Sequence, residues 1–265
     1  MVDTSERFRL LVRIGYAARG LVYILFGYLG LSSAGEASAG PQGTFDFLQE
    51  VPLGSAVLYV VAIGLSAYAI YKFIAALGDV EHHGSDAKGI AHRIGYFASG
   101  LAHTVLAWAA FQFAQGDRRS SSGDGGEQAA VTLLAWDLGA AVLGAIGIGF
   151  VAAAAFQARN AITAHFMRSV EAGAASSICW IGRVGHAARA VVFLIIGWSL
   201  IRSAWIEDST EVKGLGGALM SLRDAGALYT VVAIGLLMFG VFSLIVARFR
   251  TIPPIDRHDL KPTFR

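Results

Sequence analysis

The stretch Arg13-Ile-Gly-Tyr-Ala-Ala-Arg-Gly-Leu21 returns as Arg93-Ile-Gly-Tyr-Phe-Ala-Ser-Gly-Leu101 and again as Arg183-Val-Gly-His-Ala-Ala-Arg-Ala-Val191. Each copy opens a long apolar run. A second motif alternates with it: Ala62-Ile-Gly-Leu65, Gly147-Ile-Gly-Phe150 and Ala233-Ile-Gly-Leu236, each followed by an aromatic residue at Tyr71, Phe156 or Phe242. Self-similarity at a fixed period marks a repeat architecture. The unit is a pair of apolar segments used three times, over residues 13–77, 93–156 and 183–248.

Composition places this repeat in lipid. Of 265 residues, 55% are hydrophobic and 15% charged, with a mean hydropathy of +0.57, whereas soluble domains carry about 25% charged residues. A helix needs about 20 apolar residues to cross a hydrocarbon core of about 30 Å. Six runs reach that length, at 14–34, 56–77, 94–115, 133–156, 184–204 and 227–247. The expected fold is therefore an all-α integral membrane protein, with six transmembrane helices arranged as three tandem helical hairpins in a pseudo-threefold bundle forming one membrane domain. The first run is too long for a signal core and contains Arg19, so it is expected to be retained despite Ala37-Ser-Ala39. A single cysteine, Cys179, excludes an intramolecular disulfide and any paired-cysteine site.

Lys and Arg in the flanks set orientation. They crowd the N-terminus (Arg7, Arg9, Arg13), the second connection (Lys72, Lys88, Arg93), the fourth (Arg159, Arg168, Arg183) and the tail (Arg248, Arg250, Arg257, Lys261, Arg265). Opposite them stand only Arg118, Arg119, Arg202, Lys213 and Arg223, so both termini are expected in the cytoplasm. An even number of spans per unit relates the three units by an axis along the membrane normal, unlike the inverted repeats of many carriers.

Three tandem pairs of membrane helices, each opening with Arg-aliphatic-Gly-aromatic, resemble the bacterial membrane family catalogued as domain of unknown function number twelve hundred and six. The likeness runs from about Arg13 to Arg248. It implies a bacterial inner membrane protein and carries no particular activity with it. The middle unit departs from the pattern where Ser99 stands in place of Arg19 and Arg189.

The residues able to carry chemistry lie on one face. Tyr16, Arg19 and Tyr23 are spaced i, i+3 and i+7, and the same face reads Tyr96, Ser99, His103 in the second unit and His186, Arg189, Phe193 in the third. Charge inside a membrane is costly and tends to face a bundle interior or a wet cavity. Converging on the axis, these stripes would build a cytoplasm-facing pocket for an anionic small molecule or lipid, because guanidinium forks suit carboxylate and phosphate. In a second reading, Arg19 and Arg189 snorkel to lipid phosphates. The function expected is that of a small transporter, channel or binding protein; the alternative is an accessory subunit packing on itself or on a membrane-protein partner.

Other candidates reduce to structure. His103 has no matching histidine at its depth, which argues against a bis-histidine haem. The loop holding Asp79, Glu81, His82, His83 and Asp86 could ligate a metal, but reads as a solvated charged loop. Asp137 beside Trp136 reads as interfacial. Ala141, Ala145, Gly149 and Ala153, at fourfold spacing, read as a packing stripe. No catalytic motif is present, so no enzyme activity, resident cofactor, bound metal or nucleic-acid partner is expected.

Overall fold

The computed structural model describes residues 4–32, 40–78, 80–81, 84–116, 125–170 and 176–252. Six helices are long and apolar enough to cross a membrane: α1 (Thr4–Ser32), α3 (Gly54–Gly78), α4 (Ala87–Ala114), α6 (Gly139–Thr163), α7 (Ser176–Ile206) and α9 (Ala227–Phe249). Three short helices follow the odd spans, namely α2 (Pro41–Glu50), α5 (Gly125–Leu134) and α8 (Leu215–Met220). The molecule is a multi-pass membrane bundle. The side holding the start of α1 and the end of α9 is called here the terminal side, and the short helices lie on the far side.

Local chemistry sets the helix ends. Asp86 caps α4 by accepting from the Gly89 N–H at 2.8 Å, which satisfies a donor that the first turn leaves unpaired. Seven residues after Asp86, Arg93 donates to the Ala76 and Leu77 carbonyls at 2.6 and 2.9 Å, so one guanidinium serves the C-terminal end of α3. The fourth span does not start at 133 as expected. Its first residues belong to α5, and a break at 135–138 precedes α6. Asp137 and Trp136 fall in that break and are exposed, consistent with an interfacial position. On the far side Phe45 of α2 is fully buried against Phe113 of α4, ring centroids 6.0 Å apart.

The spans contact one another in the order α4–α3–α1–α9–α7–α6. The most extensive seams join different units: α3 with α4, α6 with α7, and α9 with α1. Glycine permits these approaches. A Cβ on Gly20 of α1 would lie 2.8 Å from the Gly240 carbonyl oxygen of α9, and one on Gly147 of α6 would lie 2.9 Å from that of Gly197 on α7. Within the first and third units the two spans also pack, again on glycine. A Cβ on Gly15 would meet the Tyr68 backbone at 2.7 Å and one on Gly64 the Ala18 Cβ at 2.3 Å; Gly185 with Phe239 (2.7 Å) and Gly235 with Ala188 (2.5 Å) repeat the arrangement.

The middle unit differs. Helices α4 and α6 have no comparable seam; their terminal-side ends touch where the His92 and Phe156 rings stand 5.6 Å apart. Gly95 and Gly149, at the positions of Gly15 and Gly64, have nothing within 4 Å of an added Cβ. This corrects the packing expected of Ala141, Ala145, Gly149 and Ala153. The first three are exposed and Ala153 is half-buried, because α6 turns Leu143, Gly147 and Ala154 inward and buries them. The ring of six spans is therefore open along one side.

Candidate functional site

Polar side chains converge where α1, α3, α7 and α9 meet. Arg19 enters from α1, nine-tenths buried. It donates to the Tyr68 hydroxyl of α3 and to Ser243 Oγ of α9 at 3.0 Å, while its guanidinium carbon lies 4.6 Å from the Tyr16 ring centroid and 5.0 Å from that of Phe239. These partners hold it inside the bundle, so it does not snorkel. Arg189 approaches the same Phe239 ring from α7 at 4.3 Å and also covers the rings of Phe193 (4.6 Å) and Tyr23 (5.6 Å). Phe239 further packs on Tyr23 and His186, at 4.9 and 5.4 Å, which makes it the point of convergence.

Seven of the eight residues expected at the site have side-chain contacts in this region, in unequal ways; Ser99 has only its carbonyl bond to His103 of the same helix. Tyr16, Arg19, Tyr23, Arg189 and His186 gather about Phe239 and Tyr68. His103 of α4 packs its ring 4.4 Å from Tyr68 and donates from Nδ1 to the Ser99 carbonyl at 2.7 Å. Ser99 thus enters this contact through its backbone. Tyr96 reaches the cluster beneath Lys72, whose Nζ lies 4.1 Å from its ring. His186 donates from Nδ1 to Gln157 Oε1 at 2.6 Å and stacks on Phe166 at 4.9 Å.

Sequence reasoning missed the contribution of the even spans. Lys72, read from sequence among the flanking cations, is a buried residue of α3, its ammonium over the rings of Tyr96, Tyr71 and Tyr68. Its counterparts eight residues after the motif glycine are Gln157 and Ser243, both buried. A polar residue at that place in all three units was the signal available.

Charge at the centre is one-sided. Among the described residues the ion pairs are Arg202–Glu211 and Arg250–Glu81, so Arg19 and Arg189 have no carboxylate in contact, while Lys72 meets only the field of Glu81, which Arg250 already pairs. Ring faces contribute roughly 0.5–2 kcal/mol per cation, less than the several kcal/mol that burial of an unpaired ion costs. The Nε–H groups of Arg19 and Arg189 are buried with no hydrogen-bond partner, as is Nε2 of His186, which is an acceptor when Nδ1 carries the proton.

The terminal side, where the pocket mouth was expected, is filled. Phe8, Tyr16, Tyr71, Phe166 and Phe242 form one cluster there. Over it Glu81 accepts from the Tyr71 hydroxyl at 2.6 Å and from Arg250 at 2.8 and 3.0 Å. Burial pushes the Glu81 carboxyl up, but Arg250 and Tyr71 outweigh it and hold it below the usual carboxylate range. Burial likewise works against the Arg250 charge, yet Tyr16, Tyr71 and Glu81 keep it protonated well above the ordinary arginine range. Of the loop read as a candidate metal site, Asp79, His82 and His83 lie outside the described residues; among those described, no three His, Cys, Asp or Glu side chains gather.

Comparison with known proteins agrees with this architecture. The family model described as Domain of Unknown Function (DUF1206) matches at residues 14–79, 94–164 and 184–250. The chain is 33% identical over 255 residues to "Uncharacterized protein YxxB" of Bacillus subtilis (strain 168), covering 91% of each chain. No solved structure matches. The chain belongs to the DUF1206 family, whose unit it carries three times in tandem.

Proposed function

We propose that the protein is a non-enzymatic binding protein of the bacterial inner membrane that holds the anionic group of a small molecule or lipid at Arg19, Lys72 and Arg189. One observation carries the reading: Arg19 and Arg189 meet over Phe239 with no carboxylate in ion-pair contact among the described residues, and one guanidinium nitrogen of each is buried and unsatisfied; Lys72 adds a buried third cation, whose charge is also felt by Glu81. An anion supplies the missing acceptors and offsets the repulsion. The basic residues of the terminal side, Arg7, Arg9 and Arg13 among them, support a cytoplasmic position for both termini. The bound group either stays as a ligand or is handed across the bundle as cargo.

The test is a titration of the purified protein in a neutral detergent with phosphatidylglycerol and, separately, with inorganic phosphate, followed by native mass spectrometry. Each charge-assisted hydrogen bond contributes about 1.5–3 kcal/mol, and 1.4 kcal/mol is about tenfold in affinity. Arg19→Gln/Arg189→Gln therefore weakens binding at least a hundredfold on this scale, while Arg19→Lys, which keeps the charge but not the fork, weakens it less. Saturation by either probe identifies whether a lipid headgroup or a free anion is the source. Absence of saturable binding to both overturns the reading and leaves the accessory-subunit role.

A further inference from the structure

We infer that the anion comes from the bilayer, as the headgroup of an anionic lipid that enters sideways between α4 and α6 and leaves an acyl chain in that seam. The inference rests on the charged centre proposed above and adds its source and route. In the first and third units the corresponding seam is closed by Gly15 with Tyr68 and Gly64 with Ala18, and by Gly185 with Phe239 and Gly235 with Ala188. In the middle unit Gly95, Ala98 and Gly149 occupy the same places and are exposed, with nothing near either glycine. Two replacements widen this unit alone. Ser99 stands where the others carry arginine, and Ala153 where they carry Tyr68 and Phe239. The side chains that fill the interior elsewhere are thus missing where the ring is open.

What lies at the two ends of the opening fixes the occupant. At its back, His103 and Ser99 are half-buried, His103 packs on Tyr68, and Tyr68 receives the Arg19 hydrogen bond. Arg19 is nine-tenths buried with a free Nε, so the Tyr68 ring is what stands between His103 and an unpaired donor. At its mouth the walls are small residues flanked by exposed Leu101 and Val105 on α4 and Val142 and Ile146 on α6. A stripe of that kind accepts a narrow hydrocarbon chain and offers no hydrogen bond to a polar molecule. The aqueous approach on the terminal side is occupied by the aromatic cluster and the Glu81–Arg250 pair. Apolar walls leading to cations match an amphiphile with a negative head.

The test locks the seam. In Ala98→Cys/Gly149→Cys, made with Cys179→Ala, the two thiols take the places of Ala18 and Gly64 in the closed first unit. A disulfide requires Cβ atoms about 3.8 Å apart, so oxidation draws α4 and α6 together. The protein is reconstituted in nanodiscs of phosphatidylcholine with phosphatidylglycerol, and the lipid retained after extraction is read by native mass spectrometry. The reduced form is expected to keep phosphatidylglycerol in preference to phosphatidylcholine, the oxidised form to lose it by about tenfold or more in apparent affinity. Ala153→Phe, which restores a ring that the other units carry, is expected to act like oxidation and decides the matter if the pair stays reduced. If neither closure nor Ala153→Phe displaces the lipid while Arg19→Gln/Arg189→Gln does, the route is overturned and the charged centre stands. If no form prefers phosphatidylglycerol, or a dimer mass survives lipid removal with the seams disulfide-joined between copies, the route is overturned as well; inorganic phosphate then decides the centre separately.

Discussion

Alanine at equivalent glycines should act in opposite directions in the closed and open units. At Gly64 the new methyl would lie 2.3 Å from the Ala18 Cβ, and at Gly15 it would lie 2.7 Å from the Tyr68 backbone. Carbon atoms rest about 3.5–4.0 Å apart, so α1 and α3 must separate by about 1 Å. Overpacking of this kind costs about 1–3 kcal/mol. Against that, replacing glycine by alanine within a helix gains up to about 1 kcal/mol. The net for Gly15→Ala or Gly64→Ala is a loss of about 0–2 kcal/mol by these figures. At Gly95 and Gly149 no atom lies within 4 Å of the new methyl, so only the helical gain remains. Each open-unit variant should therefore exceed its closed-unit counterpart by about 1–3 kcal/mol. Denaturant unfolding in mixed micelles, with tryptophan fluorescence as the reporter, measures the four variants side by side. Equal losses at Gly149 and Gly64 would show that α4 and α6 pack as tightly as α1 and α3, and would refute the open seam.

Three further outcomes follow from the centre and its cover. Tyr68→Phe leaves one buried guanidinium N–H without its oxygen and should lower stability by about 1–3 kcal/mol, with Ser243→Ala additive to less than the sum because both serve Arg19; a double-mutant cycle in the same unfolding assay checks it. Glu81 has its folded-state acidity below the ordinary value of 4.5, so its stabilisation is complete at neutral pH. That contribution is lost as the pH falls below 4.5 through the folded value. Glu81→Gln should flatten this acid limb, and an unchanged limb would exclude the pair as its origin. Gln157→Leu removes the acceptor of the buried His186 N–H and should cost about 1–3 kcal/mol, more than the same change at Arg159, which is exposed.

The six spans were legible because apolar length is a one-dimensional property, and the repeat because identical letters recur. Arg19 and Arg189 stood out as charges in apolar runs. Lys72 did not, since position near a helix end gives a snorkelling cation and a buried one the same letter; its partners Tyr68, Tyr96 and Tyr71 come from two helices. The short helices α2, α5 and α8 were hidden by their glycines and by lengths no greater than a loop's. The open seam could not be read at all. Gly95 and Gly149 carry the same residue as Gly15 and Gly64, and only three-dimensional placement shows which glycines have a neighbour. The fourfold stripe at Ala141, Ala145 and Gly149 obeyed a valid packing rule with no helix to satisfy it.

That the tightest seams join neighbouring units, and not the two spans of one hairpin, bears on how such a chain is made. Of the six spans α1 is made before the others, yet its most extensive partner is α9, made after them. The Gly20 and Gly240 backbones meet only after the four spans between them have been made. Until then the nascent bundle exposes a glycine face to lipid and depends on delayed closure between spans distant in sequence. The same geometry speaks to ancestry. A single hairpin of this type would leave its better face on each side unmatched, and three separate copies would satisfy those faces by forming a trimer. Joined in one polypeptide, such units let one internal seam, that of α4 and α6, diverge while all three seams between units are kept.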